Sequence, residues 1–199
     1  MIVRKAVPAT NLKELIDWLN ANSNKTSFGT SGPGSPSHAS GLLLQKLTGV
    51  QFQFVPYRGG SLVLQDLIAG QIDVGFGAVS TSLPAVRDGK IKVYAVTSTR
   101  RLAVAPDIPT FDEAGLPGLI VSLWGGLWAP KGTSTTIIGK LNGAVIEAHS
   151  DPAVRQRLTN LGEEIPPGAQ ETPEALAVHH KAEIEKWWPI LKAANVKGE

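Results

Sequence analysis

The chain has 199 residues, of which 42% are hydrophobic and 18% are charged, with 19 basic side chains against 17 acidic ones. Such a composition is typical of a globular protein with a buried core, and the balanced charge disfavours a nucleic-acid or membrane-surface protein. No apolar run approaches the roughly 20 residues of a membrane span. The absence of Cys excludes disulfides and thiolate metal sites but does not define the compartment.

Hydrophobic patterning predicts alternating strands and helices in the first part of the chain. Residues 1–7 form an extended segment, and Thr10 is a candidate N-cap for a first helix. Period-two alternation and short apolar runs predict strands at 26–29, 51–56, 72–76 and 91–96. Helical spacing predicts helices around 42–47, 60–68 and 84–87. This alternation implies a largely parallel sheet that helices cover on both faces.

The last third of the chain is predicted to be helical, because no further strong strand pattern follows residue 122. Ser134, Asp151 and Thr172 are candidate N-caps for three helices, and Pro189 is expected to kink or end the last one. Four tryptophans in this region are interpreted as core or interface anchors rather than ligand platforms. They are Trp124, Trp128, Trp187 and Trp188.

The sequence offers three candidate catalytic or cofactor sites, two of them in the glycine- and serine-rich loop at 29–38 and one at the paired histidines near the end of the chain. A hydrolase-like enzyme could pair His38 with a loop serine, but no Gly-x-Ser-x-Gly nucleophile elbow is present. A dinucleotide loop fails because Ser37 stands where a third glycine belongs. Adjacent His179 and His180 diverge on a helix and cannot form a zinc site by themselves. The sequence therefore predicts no cofactor and no metal.

Anion capture without catalysis is the interpretation that remains. The loop at 29–35 leaves a strand and enters a helix N-terminus, where amide groups and the helix dipole favour a carboxylate or phosphate. Two further polar turns, at 57–61 and 77–80, also follow predicted strands. In a parallel sheet all three turns gather at the carboxyl edge, where ligands bind. The sequence therefore predicts a binding cleft at this edge.

Several longer motifs follow one another along nearly the whole chain. They include FGTSGPGSPSH at 28–38, VPYRG at 55–59, GQIDV at 70–74, PDIPTFDEAG at 106–115 and WGGLWAP at 124–130. In kind and in order they resemble the Bug family, the periplasmic solute-binding receptors of tripartite tricarboxylate transporters. The resemblance implies a periplasmic-binding-protein-like α/β fold of type II, in which two lobes close like a Venus flytrap on a small carboxylate. Membrane transporter subunits are the implied partners, and no nucleic acid is expected.

The resemblance also implies which lobe each segment forms. Residues 8–122 correspond to a nearly complete second lobe, while residues 1–7 and 123–199 correspond to the crossover and the helical end of the first lobe. The signal peptide and the Pro-Phe-Pro-Gly-Gly-type loop of the first lobe are not in this chain, which we interpret as an N-terminal truncation. By resemblance, the protein is periplasmic.

The family's binding loops map onto the three turns of this sequence. The candidate ligand-binding residues are Gly29, Thr30, Ser31, Gly32, Gly34, Ser35, His38, Tyr57, Arg58, Gly59, Gly77, Ala78 and Ser80. Arg58 replaces the family's usual Lys and offers a planar donor fork. Gly77 stands where many members carry an Asp that reads the ligand's far end, which favours an acid without an amine.

Lobe closure supplies much of a receptor's affinity, so a single lobe should bind weakly or not at all. We expect no affinity measurable by calorimetry, and micromolar binding of a dicarboxylate would contradict this expectation. An assembly-dependent fragment with no binding of its own is the other alternative. Its exposed C-terminal helices would then form a homodimer or exchange segments between copies.

Overall fold

A computed structural model describes residues 1–196 of the chain. The chain forms two compact units: Met1–Ser122 together with the segment from Pro189 onward, and Leu123–Trp188. The first unit contains the sheet and the predicted site, and the second is helical. The assignment of these segments to two receptor lobes stays a prediction.

The first unit alternates strands and helices, as the hydrophobic pattern predicts. Its strands are β1 Ile2–Arg4, β2 Ser27–Thr30, β3 Gln53–Pro56, β4 Val74–Gly75 and β5 Ile91–Val93. Its helices are α1 Leu12–Ala21, α2 Pro36–Thr48, α3 Gly60–Ala69 and α4 Val79–Arg87. Asn11, not Thr10, caps α1, because its side chain accepts the backbone N–H of Glu14 while Thr10 donates to the Glu14 carboxylate.

The five strands form one mixed sheet in the order β3-β2-β4-β1-β5. β2 pairs in parallel with both β3 and β4, whereas β1 pairs antiparallel with β4 and β5. The prediction of a largely parallel sheet holds for β3, β2 and β4, whereas both pairings of β1 are antiparallel. Because β2, β3 and β4 are parallel neighbours, their carboxyl ends lie at one edge of the sheet.

Hydrophobic side chains cover both faces of this sheet. On one face Phe28 stacks on Phe52 with ring centroids 4.5 Å apart and meets Phe54 edge to face. On the opposite face lies a second buried cluster against α3 and α4. Its members are Ile2, Val63, Leu67, Ile72, Ala85 and Ile91. Adjacent residues of β2 point to opposite faces of the sheet. Helix α2 covers the first of these faces, and α3 covers the second.

The second unit consists of helices whose starts carry the predicted caps. They are α5 Thr135–Ser150, α6 Pro152–Leu161 and α7 Pro173–Ala193, and a short 3-10 turn precedes α7. Ser134 and Asp151 accept backbone N–H groups at the starts of α5 and α6. Helix α7 continues beyond Pro189, so this proline does not end the helix, and the alternative that it kinks the helix stays a prediction. A proline removes one helical hydrogen bond but need not stop a helix.

Large apolar side chains of the second unit lie at its surface. None of the residues in α5, α6 and α7 is buried. Trp128 and Trp188 are 60% and 64% exposed, so the core alternative is wrong for these two tryptophans, and their role as interface anchors stays a prediction. None of the helices described here has the length and apolar character needed to cross a bilayer.

Candidate functional site

Three turns meet at the carboxyl edge of the sheet, and we call them the first turn (residues 30–35), the second turn (57–59) and the third turn (76–78). The Tyr57 N–H donates to the Thr30 carbonyl over 2.9 Å, which joins the first two turns. The Ser31 Oγ lies 3.7 Å from the position of a Cβ on Gly60, the first residue of α3. The first and second turns are thus in contact, and the third turn follows β4, the other parallel neighbour of β2, at the same edge.

Two glycines in neighbouring strands set the position of α3 on the sheet. Gly29 of β2 pairs with Gly75 of β4. A Cβ on Gly29 would lie 2.7 Å from the Val63 Cγ1 and 2.5 Å from the Ile72 Cδ1, and a Cβ on Gly75 would lie 3.3 Å from the same Val63 atom. The two glycines form a notch that receives Val63. Gly29, a predicted ligand-binding residue, thus has a packing role that brings the start of α3 to the edge.

Backbone amides of the first turn are largely bonded within the turn. The Ser31 N–H donates to the Ser37 Oγ over 2.9 Å, and the Gly34 N–H donates to the His38 Nδ1 over 3.0 Å. The Ser35 N–H donates to the Gly32 carbonyl over 3.2 Å. These amides hold the shape of the turn. The sequence predicts that these amides face a ligand. The buried Ser37, whose hydroxyl accepts from the Ser31 N–H, is not among the predicted site residues.

His38 and the loop serines have structural roles in this geometry. The His38 ring packs edge to face on Phe54 at 4.5 Å, and its burial lowers the pKa of the imidazole below the ordinary value. Its Nδ1 accepts the Gly34 N–H, while Ser35 caps α2 by accepting the His38 N–H. The turn therefore uses these groups to begin a helix, and among the described residues no serine donates a hydrogen bond to the imidazole.

In the second turn a hydrogen bond fixes the Tyr57 side chain, whereas the neighbouring Arg58 is exposed. The Tyr57 hydroxyl donates to the Asp66 carboxylate over 2.7 Å, and its ring packs against the cluster beneath α3. Burial, together with the bonded Asp66, raises the pKa of Tyr57 to about 12. Gly59 has a φ of 153°, a conformation that essentially only glycine adopts, and it directs the chain into α3.

Helices α3 and α4 both begin at this edge, and neither has a side-chain cap. The N-cap residues are Gly59 and Ala78, and within residues 1–196 no side chain accepts from the first turn of either helix. By contrast α1, α2, α5 and α6 each carry a capping side chain. Two uncapped helix starts present N–H groups and the positive end of the helix dipole.

The third turn leads from β4 into α4. Gly77 and Ser80 are exposed, and Ala78 is partly exposed. The position of a Cβ on Gly77 is taken by the Ser82 Oγ, and the Ile2 Cδ1 lies 2.9 Å away from it. A side chain at position 77 would thus point into the protein in this backbone conformation. No sequence pattern distinguishes the buried Ser82 from an ordinary helical serine, so its contact with Gly77 is a finding of the structure.

The described residues contain no group of three or more His, Asp or Glu side chains arranged to hold a metal ion. The edge itself is a donor-rich surface without a carboxylate in any of its three turns. An α/β fold with uncapped helix starts at the carboxyl edge of its parallel strands is typical of proteins that bind small solutes at that edge.

Comparison with known proteins identifies the family. The family model described as the tripartite tricarboxylate transporter family receptor matches residues 1–196. The chain is 36% identical over 197 residues to the UPF0065 protein in the TAR-I ttuE-ttuC' intergenic region of Agrobacterium vitis, covering 98% of this chain and 56% of that protein. The chain belongs to the tripartite tricarboxylate transporter receptor family, which includes the Bug proteins. The family is one of solute-binding receptors, not of enzymes.

Solved structures share the fold. The malate-bound MatC of Rhodopseudomonas palustris is 39% identical with a TM-score of 0.88, covering 96% of this chain and 65% of MatC. The periplasmic binding protein BugD is 34% identical, also with a TM-score of 0.88, covering 100% of this chain and 66% of BugD. The predicted periplasmic-binding-protein-like fold is confirmed. The chain spans about half to two thirds of the length of these relatives.

Proposed function

We propose that this chain captures a small carboxylic acid at the edge where α3 and α4 begin. The observation that carries the proposal is the pair of uncapped helix starts, which follow β3 and β4 on either side of β2 at the same edge. A carboxylate can accept the N–H groups of these helix starts that no side chain of the described residues accepts. Malate bound to MatC supports a carboxylate as the ligand class. The Ser31 hydroxyl and the Arg58 guanidinium add donors beside α3.

Charge favours an acid over an amine at this edge. The first, second and third turns contain no Asp or Glu, and the nearby Asp66 carboxylate is bonded to Tyr57. Arg58 can hold a carboxylate through two parallel hydrogen bonds. Unlike the first turn, whose amides bond internally, the helix starts retain their capacity to donate. We infer that they, rather than the 29–35 loop amides, provide the principal contacts.

A titration with malate followed by amide NMR tests this function. We expect millimolar affinity, too weak for ordinary calorimetry. Shifts should concentrate at Gly60 and Ser61 in α3 and at Val79 and Ser80 in α4, because those amides would receive the ligand. The capped start of α1 serves as the internal control and should not shift. Uniform small shifts over all helix starts, or none at saturating malate, would contradict the proposal.

Variants at Arg58 test whether its guanidinium binds the carboxylate of malate. Arg58→Leu should weaken malate binding roughly tenfold, because it removes a charged partner of the carboxylate. Arg58→Lys should recover part of the loss, since it restores the charge but not the fork. Arg157→Leu, an exposed arginine of α6 in the second unit, is the matched control and should leave the titration unchanged.

We further propose that the whole receptor delivers its ligand to membrane transporter subunits and acts in the periplasm. The family to which the chain belongs and the periplasmic BugD support this proposal. Receptors of this kind bind ligand between two lobes, so the affinity of a single edge is expected to be low.

We also propose that a second copy of the chain covers the apolar surface of the second unit. Large side chains on α5 and α7 are exposed, among them Leu141, Ile184 and Trp188. An exposed patch of this kind promotes association in water. The structure describes one copy of the chain, so the dimer or segment exchange stays a prediction.

Sedimentation velocity over a wide range of chain concentration checks this expectation. The chain should sediment as a dimer, and Ile184→Asp should shift it toward monomer because a charge replaces an apolar contact. Ala182→Asp is the control, since positions 182 and 184 lie about 200° apart on the helix. A clean monomer at all concentrations would contradict the proposal.

A further inference from the structure

The carboxylate of Asp66 lies at an unfavourable place for a negative charge. Asp66 belongs to the last turn of α3, and that turn contains no basic residue. A carboxylate near the C-terminal end of a helix meets the negative end of the helix dipole. The same helix begins at the edge where we propose that a carboxylate binds, so the charge of Asp66 also disfavours the ligand. An acidic residue at this position therefore requires a compensating contact.

The compensating contact is a hydrogen bond from Tyr57, the first residue of the second turn. The Tyr57 hydroxyl donates to the Asp66 Oδ2 over 2.7 Å. Its backbone N–H donates to the Thr30 carbonyl over 2.9 Å, and its ring packs against the buried cluster beneath α3. Tyr57 is thus fixed to the end of β2, to the core and to α3. Because the hydroxyl donates to Asp66, we do not expect it to donate to a ligand.

Asp66 itself lies on a rigid part of α3. Val63 and Leu67 of the same helix are 2% and 1% exposed and belong to the buried cluster. Helix α3 ends at Gly70, whose N–H donates to the carbonyls of Asp66 and Leu67. Packing and the helix end therefore fix the backbone of Asp66. A side chain supported in this way can hold a neighbouring loop in one conformation.

The hydrogen bond closes a short loop that contains the charged donor of the edge. Arg58 follows Tyr57 directly, and Gly59 and Gly60 follow Arg58. Glycine restricts the backbone less than any other residue, so this stretch needs an external constraint to keep one conformation. The bond between Tyr57 and Asp66 provides that constraint at the residue next to Arg58.

We propose that Asp66 is a positioning residue, which through Tyr57 holds Arg58 in the conformation that binds the carboxylate of the ligand. This inference rests on the proposed function and adds no ligand contact to it. A preorganised loop binds more tightly because less freedom is lost when the ligand arrives. The charge of Asp66 alone would act in the opposite direction, by repelling the ligand. The sign of the effect of a substitution therefore distinguishes the two roles.

Substitutions at Asp66 test the proposal by malate titration with amide NMR. Asp66→Ala should weaken malate binding roughly fivefold, because the Tyr57 hydroxyl loses its acceptor. Asp66→Asn should bind at least as tightly as the unmodified chain, since its amide oxygen still accepts that hydrogen bond. Asp107→Ala, which removes an exposed aspartate from the loop after β5, is the control for charge and should leave the affinity unchanged. Equal or tighter binding in Asp66→Ala would overturn the proposal.

A second comparison separates positioning from a loss of stability. In an Arg58→Leu background, Asp66→Ala should lower the unfolding temperature as much as it does in the unmodified chain. It should, however, weaken the remaining malate binding by less than about twofold, because the residue that it positions is already absent. An equally large loss of affinity in both backgrounds would overturn the proposal, since the effect of Asp66 would then not pass through Arg58.

The outcomes also separate this inference from the proposed function. If malate shifts the helix starts of the unmodified chain and Asp66→Ala leaves the affinity unchanged, carboxylate capture stands and the positioning role fails. If malate shifts neither helix start in the unmodified chain, both the proposed function and this inference fail.

Discussion

Replacing Gly29 by alanine is expected to lower the free energy of unfolding by about 2 kcal/mol. The added Cβ would lie 2.7 Å from the Val63 Cγ1, a separation that real Cβ atoms do not show, so α3 must move away from the sheet. Movement of α3 also displaces its uncapped start from the binding edge. Urea unfolding followed by circular dichroism measures the loss, and malate titration should show weaker binding at Gly60.

A matched substitution and a double mutant test whether the contact with Val63 causes the loss of stability. Gly60→Ala adds the same methyl group where its nearest neighbour is the Ser31 Oγ at 3.7 Å, so stability should change by no more than about 0.5 kcal/mol. In a Val63→Ala background, which empties the notch, Gly29→Ala should cost about 1 kcal/mol less than in the unmodified chain. Equal costs in both backgrounds would show that the notch does not position α3.

Replacing Asp73 by alanine is expected to lower the free energy of unfolding by about 3 kcal/mol. Its carboxylate, only 14% exposed, lies 2.7 Å from the Arg4 Nε and accepts from both the N–H and the hydroxyl of Ser27. These contacts join β1, β2 and β4 at the sheet edge opposite the binding site. The substitution leaves a charged guanidinium and a backbone N–H without that partner.

Two further variants test this assignment by urea unfolding. Asp73→Asn keeps an acceptor for Ser27 but loses the charge, so it should fall between Asp73→Ala and the unmodified chain. Asp88→Ala removes the exposed partner of Lys90, 3.1 Å away, and should change stability by less than about 1 kcal/mol. Similar losses for Asp73→Ala and Asp88→Ala would refute the structural role of Asp73. Malate shifts should persist in folded Asp73→Asn.

Local chemistry in the sequence was sufficient to predict most helix starts and the gathering of the turns. Ser134 and Asp151 cap their helices as predicted, because capping depends only on a side chain and the amides two or three residues later. The order of strands and helices likewise predicted that the ends of β2, β3 and β4 share an edge.

Features that depend on distant contacts could not be predicted in this way. The pairing of β1 between β4 and β5 joins residues far apart in sequence, and the pattern of residues 1–7 indicates only an extended chain. The predicted strand at 72–76 shortens to Val74–Gly75, because a strand ends where its partners end rather than where its apolar run ends.

At the site, the sequence predicts where the turns lie, but it does not identify which backbone N–H groups lack a partner within the fold. The first turn looks donor-rich in sequence, yet Ser37 and His38 accept two of its amides once the chain folds. The openness of α3 and α4 is instead a consequence of having Gly59 and Ala78 at their N-caps.

The distribution of tryptophan provides a built-in optical probe of one part of the molecule. Trp18 lies in α1 of the first unit, whereas Trp124, Trp128, Trp187 and Trp188 all belong to the second. Intrinsic fluorescence should therefore follow chiefly the helical unit and its association, while far-ultraviolet dichroism also follows the sheet. Unfolding curves recorded by the two signals need not coincide, and any separation between them would measure how far the two units melt independently.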